Sequence, residues 1–115
     1  MRNDELIALL DDIESDRAER KESIADGDKI RQALCAFAND LPDHKQPGIL
    51  FVGVNDRGNP TGLPITDQLL QHLASMRADG NILPFPSLTV QKRTLKGHDV
   101  AIVLVQPAEA PPVRF

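Results

Sequence analysis

The sequence contains neither tryptophan nor tyrosine, and aromatic residues make up only 3% of its 115 positions. The core must therefore be aliphatic, and few side chains could stack on exposed nucleic-acid bases. A single cysteine, Cys35, cannot form an intramolecular disulfide, and the three histidines lack zinc-site spacing. No apolar run approaches the length of a membrane span, and the acidic start is unlike a signal peptide. We therefore expect a cytoplasmic protein.

The net charge of -4 argues at first against a phosphate-bearing partner, because binding to phosphates depends on lysine and arginine. The acids are unevenly distributed, however. Residues 1–28 carry ten acidic and four basic residues, whereas residues 29–115 carry seven acidic and nine basic residues. A locally basic face is therefore compatible with the composition.

Apolar residues at helical spacing predict three amphipathic helices. The first is expected to begin at Asn3 as N-cap and to include Ile13; the second to be capped by Asp26 or Asp28; the third to begin at Thr66 and end near Gly80. The residues predicted to face the core are Leu6, Ile7, Leu9 and Leu10 in the first helix, Ile30, Ala33, Leu34 and Phe37 in the second, and Leu69, Leu70, Leu73 and Met76 in the third.

Two continuous apolar runs, at 48–54 and 99–105, predict buried strands, the first of them central in a sheet. The charged stretch 14–24 is assigned to a loop or an edge strand, Thr61–Leu63 to the return strand of a hairpin, and Leu88 and Val90 to a half-buried strand. We expect an α/β (α+β) fold in which about three helices pack on a mixed sheet. The extended ending at 111–115 suggests that residues 1–115 are one domain at the N-terminus of a longer protein.

Carboxylates and a lysine recur around the predicted strands. Glu19 and Lys21 would project to one face of a strand, and Asp56 directly follows the central strand. With Glu14 these residues are the ingredients of a Mg²⁺ or Mn²⁺ site for phosphodiester cleavage. By spacing alone this signal is weak, and solvated surface acids are the usual explanation.

Four motifs in order resemble the AlbA_2 domain of the Schlafen family. They are Glu14-Ser-Asp-Arg-Ala-Glu19-Arg-Lys21, Ala36-Phe-Ala-Asn39, Gly48-Ile-Leu-Phe-Val-Gly-Val-Asn-Asp56-Arg-Gly58 and Gly62-Leu63. The resemblance implies a nucleic-acid-binding domain of a bacterial transcriptional regulator or ATP-binding protein. It also implies an alternative, because animal Schlafens use a related fold as an endoribonuclease.

By this resemblance, Glu14, Glu19 and Asp56 match the carboxylates of the nuclease site, which would hold the metal, and Lys21 matches its basic residue. Two departures stand out. Arg20 replaces an aromatic or apolar residue, and a longer loop, 39–48, replaces a tight glycine-rich connection.

Two groups of basic residues are candidates for phosphate contacts. The candidates are Arg17, Arg20, Lys21, Lys29 and Arg31 in the first group and Lys92, Arg93 and Lys96 in the second. For each residue alone, an ordinary solubilising charge is the simpler interpretation.

Three functions are therefore weighed: a DNA- or RNA-binding module, a metal-dependent endoribonuclease, and a protein-interaction or oligomerisation module. A homodimer is left open, and downstream domains of the same chain are expected partners. The sequence lacks a P-loop, so we expect no nucleotide site within these residues.

Overall fold

A computed structural model of the protein describes residues 1–39, 45–76 and 87–107. Three helices and four strands follow one another along the chain. In chain order they are α1 (Asn3–Asp11), β1 (Ala18–Lys21), α2 (Gly27–Asn39), β2 (Gly48–Val52), α3 (Asp67–Ser75), β3 (Leu88–Leu95) and β4 (His98–Val105). No helix among the described residues is long and apolar enough to cross a membrane.

The four strands form one mixed sheet in the order β1-β2-β4-β3. β1 and β2 are parallel and are connected through α2, whereas β4 is antiparallel to both of its neighbours. The expected α+β fold with about three helices on a mixed sheet is confirmed. The charged stretch supplies an edge strand, and the apolar run that begins at Gly48 is a central strand, buried at every position.

Each face of the sheet has its own apolar cluster. Alternate residues of β2 point to opposite faces, so that Leu50 and Val52 join α2 and α3, whereas Ile49 and Phe51 join α1. Among residues 1–39, 45–76 and 87–107, only Phe51 contributes a fully buried aromatic ring, and the other large buried side chains there are aliphatic or methionine. The expectation of an aliphatic core is therefore confirmed.

The start of α1 differs from the prediction. Arg2, not Asn3, is the N-cap residue, and the Glu5 carboxylate accepts a hydrogen bond from the Arg2 backbone N–H at 3.1 Å. This bond, reinforced by the Arg2 charge, lowers the pKa of Glu5. At the other end, Ile13 lies beyond the helix and is 62% exposed. Helical spacing alone extended the predicted helix too far.

The caps of the other two helices agree with the prediction. Asp26 accepts a hydrogen bond from the Lys29 backbone N–H at 3.2 Å, and Thr66 accepts one from the Leu69 N–H at 3.1 Å. Both bonds satisfy N–H groups that lack a partner within the helix. The predicted stop at Gly80 lies outside the described residues, as do residues 40–44 of the 39–48 loop and the extended segment 111–115.

The predicted return strand at Thr61–Leu63 is wrong. β2 ends at Val52 because Gly53 adopts a φ of 99°, and the chain then forms only an isolated bridge between Val54 and Pro60. Thr61 closes the turn by donating its backbone N–H to the Gly53 carbonyl at 2.8 Å. The segment between this turn and α3 is therefore irregular.

Candidate nucleic-acid interface

The parallel strands β1 and β2 end side by side. The carbonyl oxygen of Lys21, the last residue of β1, accepts hydrogen bonds from the backbone N–H groups of Gly53 and Val54 at 2.8 and 3.2 Å. The turn that follows β2 therefore begins directly beside Lys21. Carboxyl ends of parallel strands are frequent ligand sites because the sheet fixes the loops that emerge there.

Residues 55–59 form a tight turn at this end of the sheet. The Asn55 side-chain oxygen accepts hydrogen bonds from the backbone N–H groups of Arg57 and Asn59, both at 3.0 Å. A further bond joins the Asn55 N–H to the Asn59 carbonyl at 2.9 Å. The turn leaves Asp56 and Arg57 exposed at its tip. Arg57 was missed as a candidate, although its place after a buried strand was a usable signal.

Gly58 lets this turn pack against the end of α1. It has a φ of 81°, and a Cβ at this position would lie 2.6 Å from the Leu10 carbonyl oxygen. The Lys96 ammonium donates to the Gly58 carbonyl at 3.0 Å and forms an ion pair with Asp11. Lys96, a predicted phosphate contact, therefore contacts both the turn and α1.

Arg20 was predicted to contact phosphate, and the structure contradicts that prediction. Its side chain points to the α1 side of the sheet, and the residue is only 8% exposed. The guanidinium donates to the carbonyl oxygens of Leu9, Leu10 and Asp12. These carbonyls lie at the end of α1, and those of Leu9 and Asp12 also accept the backbone N–H groups of Asp12 and Ser15, at 3.3 and 3.1 Å. Arg20 is therefore a helix cap and is not available to phosphate.

Other predicted basic residues are also engaged within the protein. Arg17 donates twice to the Pro47 carbonyl, at 3.1 and 3.2 Å. Arg93 bonds to Gln91, Asn3 and the Met1 carbonyl, and Arg31 forms an ion pair with Asp28. The donors of these three arginines already serve the fold. We therefore consider these three arginines weaker candidates for phosphate contacts than lysines whose side chains form no hydrogen bond or ion pair.

Lys21, Lys29 and Lys92 differ from these arginines. Within the described part of the chain, their side chains make no hydrogen bond or ion pair. Lys29 and Lys92 are exposed, and Lys21 is half-buried. Lys29 lies in the first turn of α2, which begins six residues after the last residue of β1.

Lys21 and Lys92 lie in one row across the sheet. Lys21 pairs with Val52, Val52 with Ala101, and Ala101 with Lys92. Paired residues point to the same face, so both lysines are on the face that carries α2 and α3. Three strand spacings of about 4.8 Å separate their backbones by roughly 14 Å. The strand register thus relates two residues that are 71 positions apart in the sequence.

The three predicted metal ligands are not brought together. Glu14 lies in the turn before β1, Glu19 on the α2 side of β1, and Asp56 at the tip of the 55–59 turn. The described residues contain no group of three or more histidine, cysteine, aspartate or glutamate side chains that could hold a metal ion. A Mg²⁺ or Mn²⁺ site at these three carboxylates stays a prediction.

The solved structures that resemble this chain include a domain from a helicase-related protein. The N-terminal domain of a protein from Nitrosomonas europaea, named as related to the ATP-dependent DNA helicase RecG and solved by NMR in solution, superposes with a TM-score of 0.71 at 27% identity. The alignment covers 95% of this chain and 76% of that domain. No curated protein matches the chain significantly. The Schlafen AlbA_2 family matches residues 14–115, and the chain therefore belongs to this family.

Proposed function

We propose that this domain binds nucleic acid through phosphate contacts at the carboxyl ends of β1 and β2. The observation that carries the proposal is the pair of hydrogen bonds from the start of the 53–59 segment to the Lys21 carbonyl. They join Lys21 to the turn that exposes Arg57, and Lys29 follows in the first turn of α2. Lysine and arginine side chains of this kind displace counterions from a phosphate backbone.

The same face extends the basic surface towards β3. Lys92 lies in the row of Lys21 and is exposed, so a backbone that crosses the sheet edge could meet both residues. Asp56 adds one opposing charge beside Arg57. We therefore expect moderate affinity that falls steeply with added salt.

The binding should be largely independent of base sequence. Phe51 is fully buried and Phe37 is half-buried, so the described residues offer no freely exposed aromatic ring for a base to stack on. Recognition would then rest on the phosphate backbone, which both DNA and RNA duplexes present.

The relatives support a proposal for the wider role of the domain. A RecG-related protein carries a similar domain at its N-terminus, and by family resemblance such domains occur in transcriptional regulators and ATP-binding proteins. We propose that this domain supplies nucleic-acid contacts to such a multidomain protein. The ATP-binding activity would belong to another part of it.

The endoribonuclease alternative rests on the family resemblance of Glu14, Glu19 and Asp56. Their positions do not form a metal-binding group, so no reaction step is assigned to them. Cleavage of labelled transfer RNA with Mn²⁺, lost in both Glu19→Ala and Asp56→Ala, would favour the nuclease over simple binding.

The proposal is tested by fluorescence anisotropy with a labelled DNA duplex and an RNA duplex of the same sequence, across a salt series. Lys21→Gln and Arg57→Gln should each weaken binding and reduce the salt slope by about one. Arg2→Gln is a charge-matched control, because Arg2 starts α1 on the opposite face of the sheet. Equal losses in all three variants, or affinity without salt dependence, would contradict the proposed surface and favour a protein-interaction module.

A further inference from the structure

The outer edge of β1 is open in the described structure. β1 is at the edge of the sheet, and the carbonyls of Arg17 and Lys21 accept the backbone N–H groups of Ile49 in β2 and of Gly53 directly after it, at 2.8 Å each. Because hydrogen-bonding directions alternate along a strand, the backbone groups of Ala18 and Arg20 point away from β2. No strand within residues 1–39, 45–76 and 87–107 pairs with this side. Such an edge is a template for another extended chain.

A groove runs beside this edge, between β1 and α2. Its volume is about 380 Å³, within the range of protein sites that enclose ligand groups. Ala33 and Ala36 leave room on the helix side, and Phe37 closes one end by packing on Gly48, where a Cβ would lie 2.1 Å from its ring. The lining residues are Ser15, Asp16, Ala18, Glu19, Ala33, Ala36 and Phe37.

The acidic residues that line the groove favour a positively charged ligand. Asp16 and Glu19 both line it, and the Glu19 residue is exposed. No lysine or arginine is among the lining residues, so the groove would repel a phosphate backbone. An occupant that carries positive charge beside an apolar side chain would complement both the acids and the alanines.

We propose that β1 and the groove form a docking site for an extended peptide with alternating apolar residues and flanking lysine or arginine. The peptide adds to β1 as a further strand, so its main chain bonds to the outward groups of Ala18 and Arg20. Alternate side chains enter the groove, and the basic flanks lie near Asp16 and Glu19. Main-chain pairing supplies affinity, and the groove supplies selectivity.

This site is separate from the proposed nucleic-acid surface. Ser15 and Asp16 precede β1, and Phe37 lies near the end of α2, so the groove lies towards the amino end of β1. Lys21 and the 55–59 turn lie at its carboxyl end. A peptide and a nucleic acid could therefore bind at the same time.

The test uses the 115-residue chain, isotopically labelled for NMR, and a short synthetic peptide in which valine and threonine alternate between terminal lysines. Peptide addition should shift amide signals in β1 and in the second half of α2. Ala36→Arg fills the groove and adds a positive charge that repels the lysines of the peptide. This variant should weaken binding at least about tenfold. Ala74→Arg is the matched control, because Ala74 is an exposed alanine on α3.

Two peptide controls complete the design. Replacing the terminal lysines with glutamates should abolish binding, and N-methylation of the amides that face β1 should do the same by removing strand pairing. The absence of binding by the lysine peptide at millimolar concentration would overturn the proposal. So would equal losses in Ala36→Arg and Ala74→Arg, or signal shifts confined to regions outside β1 and α2.

Discussion

The Arg20 guanidinium donates to the Leu10 carbonyl oxygen through both Nε and Nη2, at 2.9 and 2.6 Å. This contact joins the edge strand β1 to the end of α1 across ten residues of sequence. A cationic side chain also suits the negative end of a helix dipole. Burial of the arginine is tolerated because its donors form hydrogen bonds with backbone carbonyls at the end of α1.

Replacement of Arg20 by methionine should destabilise the fold. The substitution keeps an apolar stem but leaves the carbonyls of Leu9, Leu10 and Asp12 without these donors. We expect the free energy of unfolding to fall by about 2 kcal/mol or more. Urea denaturation measures this change.

The same variant separates the structural role of Arg20 from the predicted phosphate contact. When measured below its unfolding transition, Arg20→Met should bind a nucleic-acid duplex with nearly normal affinity and salt slope. Unchanged stability together with a reduced salt slope would restore Arg20 to the interface.

Replacement of Gly58 by alanine should destabilise the fold more than the same replacement of the other glycines in the 53–62 region. Gly58→Ala forces a Cβ to within 2.6 Å of the Leu10 carbonyl oxygen and places alanine at a φ of 81°. Gly62→Ala meets a similar φ of 79° but no atom within 4 Å. Thermal unfolding should show a loss of about 1 kcal/mol for Gly62→Ala from backbone strain alone, and clearly more for Gly58→Ala. Equal losses would show that the contact with α1 is easily relieved.

The ion pair between Lys96 and Asp11 should contribute little to stability. Its side chains are 27% and 54% exposed, so solvent screens their attraction. A double-mutant cycle of Lys96→Met and Asp11→Asn should give a coupling of no more than about 1 kcal/mol. A larger coupling would mean that the pair, and not Gly58 packing, fastens the turn to α1.

Removal of the acid beside Arg57 should strengthen nucleic-acid binding. Asp56→Asn eliminates a charge that repels phosphate while retaining a residue suited to a turn. We expect the dissociation constant for a DNA duplex to fall by about twofold at low salt, as measured by anisotropy. Weaker binding, or the loss of a Mn²⁺-dependent cleavage activity, would instead give Asp56 a direct part in the site.

The Cys35 thiol should be unreactive in the folded protein. Burial within the cluster beneath α2 raises its pKa, so less thiolate is present at a given pH. Labelling with a thiol reagent at pH 8 should be slow and should accelerate in denaturing urea. Rapid labelling under native conditions would mean that α2 opens readily.

Local sequence patterns predicted most elements of the fold. The five residues of β2 are apolar or glycine and all buried, and Thr66 and Asp26 cap helices as their side chains suggest. The errors occurred at residues that follow a local sequence pattern but do not occupy the position in the fold that the pattern predicts. Ile13 continues a helical spacing but is exposed, and Thr61 bonds across a turn instead of entering a strand.

The candidate site was less predictable than the fold. The sequence analysis grouped Arg20 and Lys96 with the other candidate phosphate contacts. Charge and position along the chain cannot distinguish a buried helix cap from a free cation. Arg57 was overlooked because the sequence does not show that this side chain is exposed. Only the Asn55 turn, through its hydrogen bonds, shows that Arg57 is held outward.

The sequence by itself determined the family, the aliphatic core and the order of helices and strands, because these depend on residue type and short-range spacing. The tertiary structure decided which charges serve the fold and which remain available. It placed Arg20 under the end of α1, tied Lys96 to Gly58, and aligned Lys21 with Lys92 across four strands. These relationships depend on strand order and register, which bring distant residues together and which no local pattern encodes.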